Sequence, residues 1–240
     1  MAQSGGRPWG VVLTVVLCAL VAAGALTAAA VLKHQRDTDR ANSASTPSPS
    51  ATTGPGADGC LTPPCQTLGT ATVGGTVIDL VGDRGGTSGR LLIGGVGSGD
   101  VVEVTITERG AVLEKDFALQ CVPAARSACM VRGHAPDGVV GEVVAVAAEG
   151  WTEATANPFV SDAGWLLLAD MTGDDTPEVL AAQYDCDRAQ TPDCTTTPVY
   201  VQVFDLDSAT LGCTRNYARL GSLPEWPDPD LSRVELRECG

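Results

Sequence analysis

Eight cysteines fall within the last 181 residues of this 240-residue chain, at Cys60, Cys65, Cys121, Cys129, Cys186, Cys194, Cys213 and Cys239. An even set at this density constrains the fold more than any other feature, because disulfides persist outside the cytosol and are rare within it. Only 4% of the residues are aromatic, so few large side chains exist to fill a core. Eight cysteines admit about a hundred connectivities. Local spacing favours Cys60–Cys65, Cys121–Cys129, Cys186–Cys194 and Cys213–Cys239, each closing a short loop around turn-forming residues. Bridges of this size stabilise by roughly 2–4 kcal/mol each, and four of them approach the whole ~5–15 kcal/mol stability of a domain. Zinc fits poorly: only Cys60 and Cys65 come near ligand spacing, and His134 is the sole histidine after residue 59. No redox-active CxxC is present.

Before the cysteines stands an uncharged apolar run, Val11 to Leu32. As a helix it would extend about 33 Å at ~1.5 Å per residue, enough to cross a hydrocarbon core of ~30 Å. Ala28, Ala29 and Ala30 allow a signal-peptidase site, but the run exceeds an ordinary signal core, and we read it as an uncleaved anchor. Cys18 follows Val16 and Leu17 where a lipoprotein signal needs a small residue, so lipidation is not expected. Arg7 precedes the run and Lys33, Arg36 and Arg40 follow it, an asymmetry that slightly opposes an external C-terminal domain. Cysteine usage outweighs that small difference. The expected order is a cytoplasmic tail over 1–10, a single transmembrane helix over 11–32, a linker over 33–59 and an extracytoplasmic domain over 60–240 of the cell membrane.

The segment from Ala41 to Gly59 is nearly all Ser, Thr, Pro, Gly and Ala. It has no periodic apolar face to offset its ordering entropy, hence the linker reading. The domain that follows holds 11 of the 15 Lys and Arg but 26 of the 29 Asp and Glu, a balance of −15. Such a surface repels nucleic acid and acidic headgroups, which excludes both as ligands, and it favours cations or basic partners.

Short Val- and Leu-rich runs recur through the domain at 76–81, 90–93, 101–107, 139–147, 165–169, 178–183 and 199–205, separated by Gly, Asp, Ser or Pro clusters. Val101 to Thr107 and Val199 to Asp205 alternate apolar with polar residues, as half-buried strands do. No long amphipathic helix is evident, and the valines of Val139 to Glu149 favour a strand. The expected class is an all-β, mostly antiparallel, disulfide-stapled domain, either partial-propeller-like or sandwich-like.

The sharpest local pattern is Asp170-Met171-Thr172-Gly173-Asp174-Asp175-Thr176-Pro177-Glu178, set between two apolar runs. Oxygen ligands at alternating positions of a tight turn converge on one point, as a hard cation requires. Asp170, Thr172, Asp174 and Glu178 occupy positions one, three, five and nine, with the Thr176 carbonyl at seven. Residues Trp165 to Gln183 resemble the FG-GAP or VCBS repeat, the β-propeller blade of integrin-like proteins, whose loop reads D-x-[DN]-x-D-G-x-x-D before an apolar strand. The resemblance implies a strand–calcium loop–strand hairpin with calcium as the ion. Thr172 replaces an Asp or Asn, Asp175 stands at the glycine position, and Glu178 is one methylene longer than the usual Asp. Those departures predict weak binding, on the order of 10⁻⁴–10⁻³ M. Gly89 to Val104 aligns without gaps with Gly164 to Val179 and shares six of 16 residues, which suggests a second, ligand-less copy of the hairpin.

No nucleophile elbow, zincin motif, phosphate loop or dinucleotide fingerprint occurs, and His134 is the only imidazole base within the domain over 60–240. We therefore expect no enzyme. The composition, rich in Ala, Gly, Val and Arg and poor in Lys, is similar to that of actinobacterial proteins. The expectation is a membrane-tethered extracytoplasmic binding or interaction module of a bacterial cell envelope, with a protein or glycan partner. A carbohydrate-binding or carbohydrate-active domain and a structural assembly component are the alternatives.

Overall fold

The computed structural model describes residues 60, 62–95, 97–98, 100–186 and 194–239. The expected tail, anchor and linker lie outside the described residues; among those described, no helix is long and apolar enough to cross a membrane. Strands dominate, arranged as three successive antiparallel meanders. The first runs β1 (Cys65–Val73), β2 (Thr76–Asp83), β3 (Gly89–Ile93) and β4 (Asp100–Glu103). The second runs β5 (Leu119–Val122), β6 (Ala128–Ala135), β7 (Gly138–Ala147) and β8 (Gly150–Glu153), with the short β9 (Phe159–Ser161) also paired to β7. The third runs β10 (Leu166–Ala169), β11 (Glu178–Tyr184), β12 (Val199–Phe204) and β13 (Thr210–Cys213). They begin at residues 65, 119 and 166, so successive units are 54 and 47 residues apart.

Period-two patterning distributes each strand between two cores. From β6, Cys129 and Val131 join Leu68, Ile78, Leu80, Leu91 and Ile106 in a core between the first and second sheets. The alternate residues Ala128 and Met130, with Val139 and Val143 of β7, join Leu166, Leu168, Val179 and Ala181 in a second core between the second and third sheets. The other side of β11 carries Leu180 and Ala182 into a third core with Val201 and Val203, which Tyr217, Leu223 and Leu231 of the C-terminal segment cover. Each Leu or Val so buried contributes about 1.5–3 kcal/mol. At the β6–β7 turn Gly138 adopts φ +131, and a Cβ there would lie 2.1 Å from the Ser161 carbonyl oxygen; only glycine lets β9 approach β7 this closely.

Two buried carboxylates hold loops to this frame. Glu142 of β7, 6% exposed, accepts hydrogen bonds from the Thr105 N–H (2.9 Å), the Thr105 hydroxyl (2.8 Å) and the Ile106 N–H (3.3 Å), joining the second sheet to the first. Burial pushes its carboxyl above the usual carboxylate range, against the pull of those hydrogen bonds and with repulsion from Glu153 adding to the rise. This clamp corrects the expectation of a strand over Val101 to Thr107. β4 stops at Glu103, and Ile106–Arg109 forms a 3-10 turn because Glu142 takes up the N–H groups a strand would offer to a neighbour. Asp83, at the end of β2, accepts from the Thr87 N–H (2.9 Å), the Thr87 hydroxyl (2.7 Å) and the Ser88 hydroxyl (3.0 Å). Burial raises its carboxyl, but these bonds outweigh burial and hold it below the ordinary value.

The bridges are Cys60–Cys65, Cys121–Cys129, Cys186–Cys194 and Cys213–Cys239. Cys121 and Cys129 face one another across the β5–β6 register, and Cys239 ties the C-terminal segment to the end of β13. The internal repeat suggested by the 75-residue offset does not survive. Gly89 to Val104 spans the third and fourth strands of its sheet, whereas Gly164 to Val179 spans the first and second strands of another. The similarity is that of two hairpins with a common turn chemistry.

Candidate functional site

The 170–178 segment connects β10 to β11, whose register pairs Ala169 with Glu178 at the neck of the hairpin. Gly173 (φ +75) and Asp175 (φ +61) both take the left-handed conformation, so the aspartate at the glycine position adopts the backbone a glycine would. Asp170 accepts from the Gly173 N–H (2.7 Å) and the Asp175 N–H (3.2 Å), and Asp174 accepts from the Thr176 N–H (2.9 Å). Glu178 is 3% exposed and accepts from the Met171 N–H (2.6 Å) and the Thr172 hydroxyl (2.7 Å). The turn is braced from outside by the Ala125 N–H, which donates to both the carbonyl (3.0 Å) and the carboxylate (3.0 Å) of Asp175.

The fold thus brings three of the five expected ligands together: Asp170, Asp174 and Glu178 each offer a carboxylate oxygen, all within 4.8 Å of one another. Thr172 is drawn to the same point through Glu178, and Thr176 is placed by its N–H on Asp174. Among the described residues no arginine or lysine forms an ion pair with these carboxylates. Three like charges so close repel one another, and a divalent cation would relieve that repulsion. The donor set is all oxygen, as calcium prefers, and the residues present fit the ion.

A second feature lies on the third sheet. Register places Val179 opposite Phe204, Ala181 opposite Gln202 and Gln183 opposite Tyr200, so all six share one face. Val179, Ala181 and Phe204 pack into the second core, but beyond them the face turns polar and floors a groove of about 680 Å³. Its walls include Asp162, Asp185, Asn216 and Arg237. None of these was singled out from sequence, where Gln183, Tyr200 and Gln202 read as the solvated side of ordinary strands. The polar–apolar switch along a single face was the available signal.

His134 lies on β6 beside Phe117 and Glu114. Its half-exposed ring stacks on Phe117 at 4.6 Å, and its Nε2 lies 4.0 Å from a Glu114 carboxylate oxygen. The Arg132 guanidinium also lies over the Phe117 ring, at 4.5 Å, and donates to the carbonyls of Phe117 (3.0 Å) and Leu166. Burial lowers the affinity of Arg132 for its proton relative to a free side chain. This stack joins β6 to the starts of the β5 and β10 segments. Compared with protein-family models, curated proteins and solved structures, the chain matches none.

Proposed function

We propose that the chain is a membrane-tethered, extracytoplasmic binding module of a bacterial cell envelope. The observation that carries this reading is the set of four bridges distributed along the whole domain, one at its entry, one in each of the later sheets' connections and one at its end. Bridges persist only where thiols are not kept reduced. The apolar Val11 to Leu32 segment, read as an anchor, and the proline- and serine-rich linker support a domain held away from a bilayer. Three sheets of four, five and four strands, each beginning about fifty residues after the last, support a partial-propeller-like arrangement in which neighbouring sheets share cores. Within it the Asp170–Glu178 turn acts as a weak structural calcium site, bracing the β10–β11 hairpin against the β5–β6 turn.

The decisive experiment follows a C-terminal epitope in the expressing cell. The tag should be accessible to protease from outside the membrane, and mass spectrometry should find all eight cysteines blocked until reductant is added. A protected tag, or eight cysteines alkylated without reduction, would refute the reading.

A further inference from the structure

We propose that the groove on the third sheet binds a neutral saccharide. This deepens the envelope-binding reading and rests on it for its biological setting. Four observations lead there. First, the floor is built from planar amides around one aromatic ring: Gln183 and Tyr200 are register partners, and Gln202 is the next residue of β12 on the same face. Amides offer a donor and an acceptor side by side, which matches vicinal hydroxyls, and an aromatic ring accepts the C–H face of a pyranose.

Second, the polar groups are held in place before any ligand arrives. The Arg237 Nη2 donates to Asn216 Oδ1 (2.8 Å), and Asn216 Nδ2 donates in turn to Asp185 Oδ2. The Arg237 Nε is fixed on the Thr214 carbonyl (3.2 Å). Across the groove, Gln183 Nε2 donates to the Val160 carbonyl (2.7 Å), and Asp162 Oδ1 accepts from the Tyr184 N–H (2.8 Å). These contacts set the orientation of the Asp162, Gln183, Asn216 and Arg237 side chains, and an amide, with two N–H donors and two acceptor lone pairs, can add a ligand bond to those it already makes. Such preorganisation reduces the ordering cost that otherwise opposes binding of a polar ligand.

Third, the surrounding staples stiffen both ends of the site. Cys186–Cys194 closes the segment after β11, and Cys213–Cys239 holds the C-terminal segment that carries Arg237 against β13. Fourth, charge selects the class. Asp162, Asp185 and Glu238 outnumber Arg237 around the groove, within a domain of net charge −15, so phosphorylated or carboxylated polymers are repelled. Two of those carboxylates already accept internal hydrogen bonds, which suits sharing with hydroxyl groups better than pairing with a poly-cation. A volume of about 680 Å³ falls within the ~300–1,000 Å³ typical of small-ligand sites.

The test uses the full-length protein in detergent with its disulfides intact. It is applied to an array of neutral oligosaccharides of glucose, galactose, mannose and N-acetylglucosamine, beside poly-lysine and poly-glutamate. A retained neutral oligosaccharide is then titrated calorimetrically. The expected result is retention of at least one neutral glycan, with affinity falling about tenfold or more in Asn216→Ala and in Gln183→Ala. Glu108→Ala, on the exposed 3-10 turn after β4, should leave that affinity unchanged. Because Asn216 also supports Asp185, Gln202→Ala serves as a second probe on the floor, where the amide's other contact is with the exposed Thr210 hydroxyl (3.2 Å). The proposal is overturned by retention of no neutral glycan at millimolar concentration, by retention of poly-lysine alone, or by a glycan affinity indifferent to all three groove substitutions. Any of these can occur in a protein whose tag and thiols behave as an exported domain requires, so failure here is separable from failure of the envelope reading.

Discussion

Removing the Cys213–Cys239 bridge tests how far covalent staples replace core mass in this domain. The pair is separated by 26 residues, the longest loop of the four, and the segment it closes supplies Tyr217, Leu223 and Leu231 to the third core. Cross-linking restricts the unfolded chain by about 12 cal/mol/K for a loop of that length, or ~3.5 kcal/mol at 25 °C. A domain of 181 residues melts with an entropy of roughly 0.4 kcal/mol/K. The Cys213→Ala, Cys239→Ala double variant should therefore melt about 9 °C below the parent. The Cys60–Cys65 bridge spans only 5 residues. It carries ~2 kcal/mol by the same relation, so its double alanine variant should lose about 5 °C. Differential scanning calorimetry of the two variants reads both values. An equal loss, or a larger one at Cys60–Cys65, would show that native-state effects dominate and that the loop-entropy reasoning is wrong.

Two further outcomes follow from the carboxylates. With 10 mM calcium and a dissociation constant near 1 mM, the melting temperature should rise by about 4 °C, from ~1.4 kcal/mol of linked binding energy. Asp174→Ala should abolish the rise, and a parent protein indifferent to calcium would remove the ion from the account. Glu142 and Asp83 should leave opposite marks on stability against pH. Glu142 is raised, so its protonated form is favoured by folding: its contribution is complete below the unfolded value of 4.5 and is lost as pH climbs through the folded value. Asp83 is lowered, so its contribution is present above 3.8 and is lost as pH falls through the folded value. Urea unfolding of Glu142→Gln between roughly pH 4 and pH 7 should therefore show a less negative slope than the parent, and an unchanged slope would refute the buried-carboxyl explanation.

The parts of the architecture legible from sequence are those where side-chain alternation is strong. β12 carries Val199, Val201 and Val203 at every second position, β2 and β7 are dense in Val, Ile and Leu, and the runs at 76–81, 139–147 and 199–205 mark all three closely. β1, with the sequence CQTLGTATV, hides because small and polar residues occupy its exposed side. β5, β8, β9 and β13 are only three or four residues long, too short for a period to register. Long-range chemistry is invisible in the linear pattern. Nothing near Glu142 marks it as the partner of Thr105, 37 positions earlier, and that single contact ends β4. The acidic turn was readable because all its ligands lie within nine consecutive residues. The groove was not, since its polar groups come from β11, β12, the C-terminal segment and Asp162 after β9, which only the folded arrangement brings together.

A succession of sheets that each require a neighbour has no natural terminus: whichever is last must leave an oily side uncovered. Here the segment after β13, through Tyr217, Leu223 and Leu231, lies across Leu180, Val201 and Val203 and is locked there by Cys239. The tail thus works as a lid on the growing end of the molecule. Proteolytic loss of that segment would uncover Leu180, Val201 and Val203 and favour association through the exposed surface.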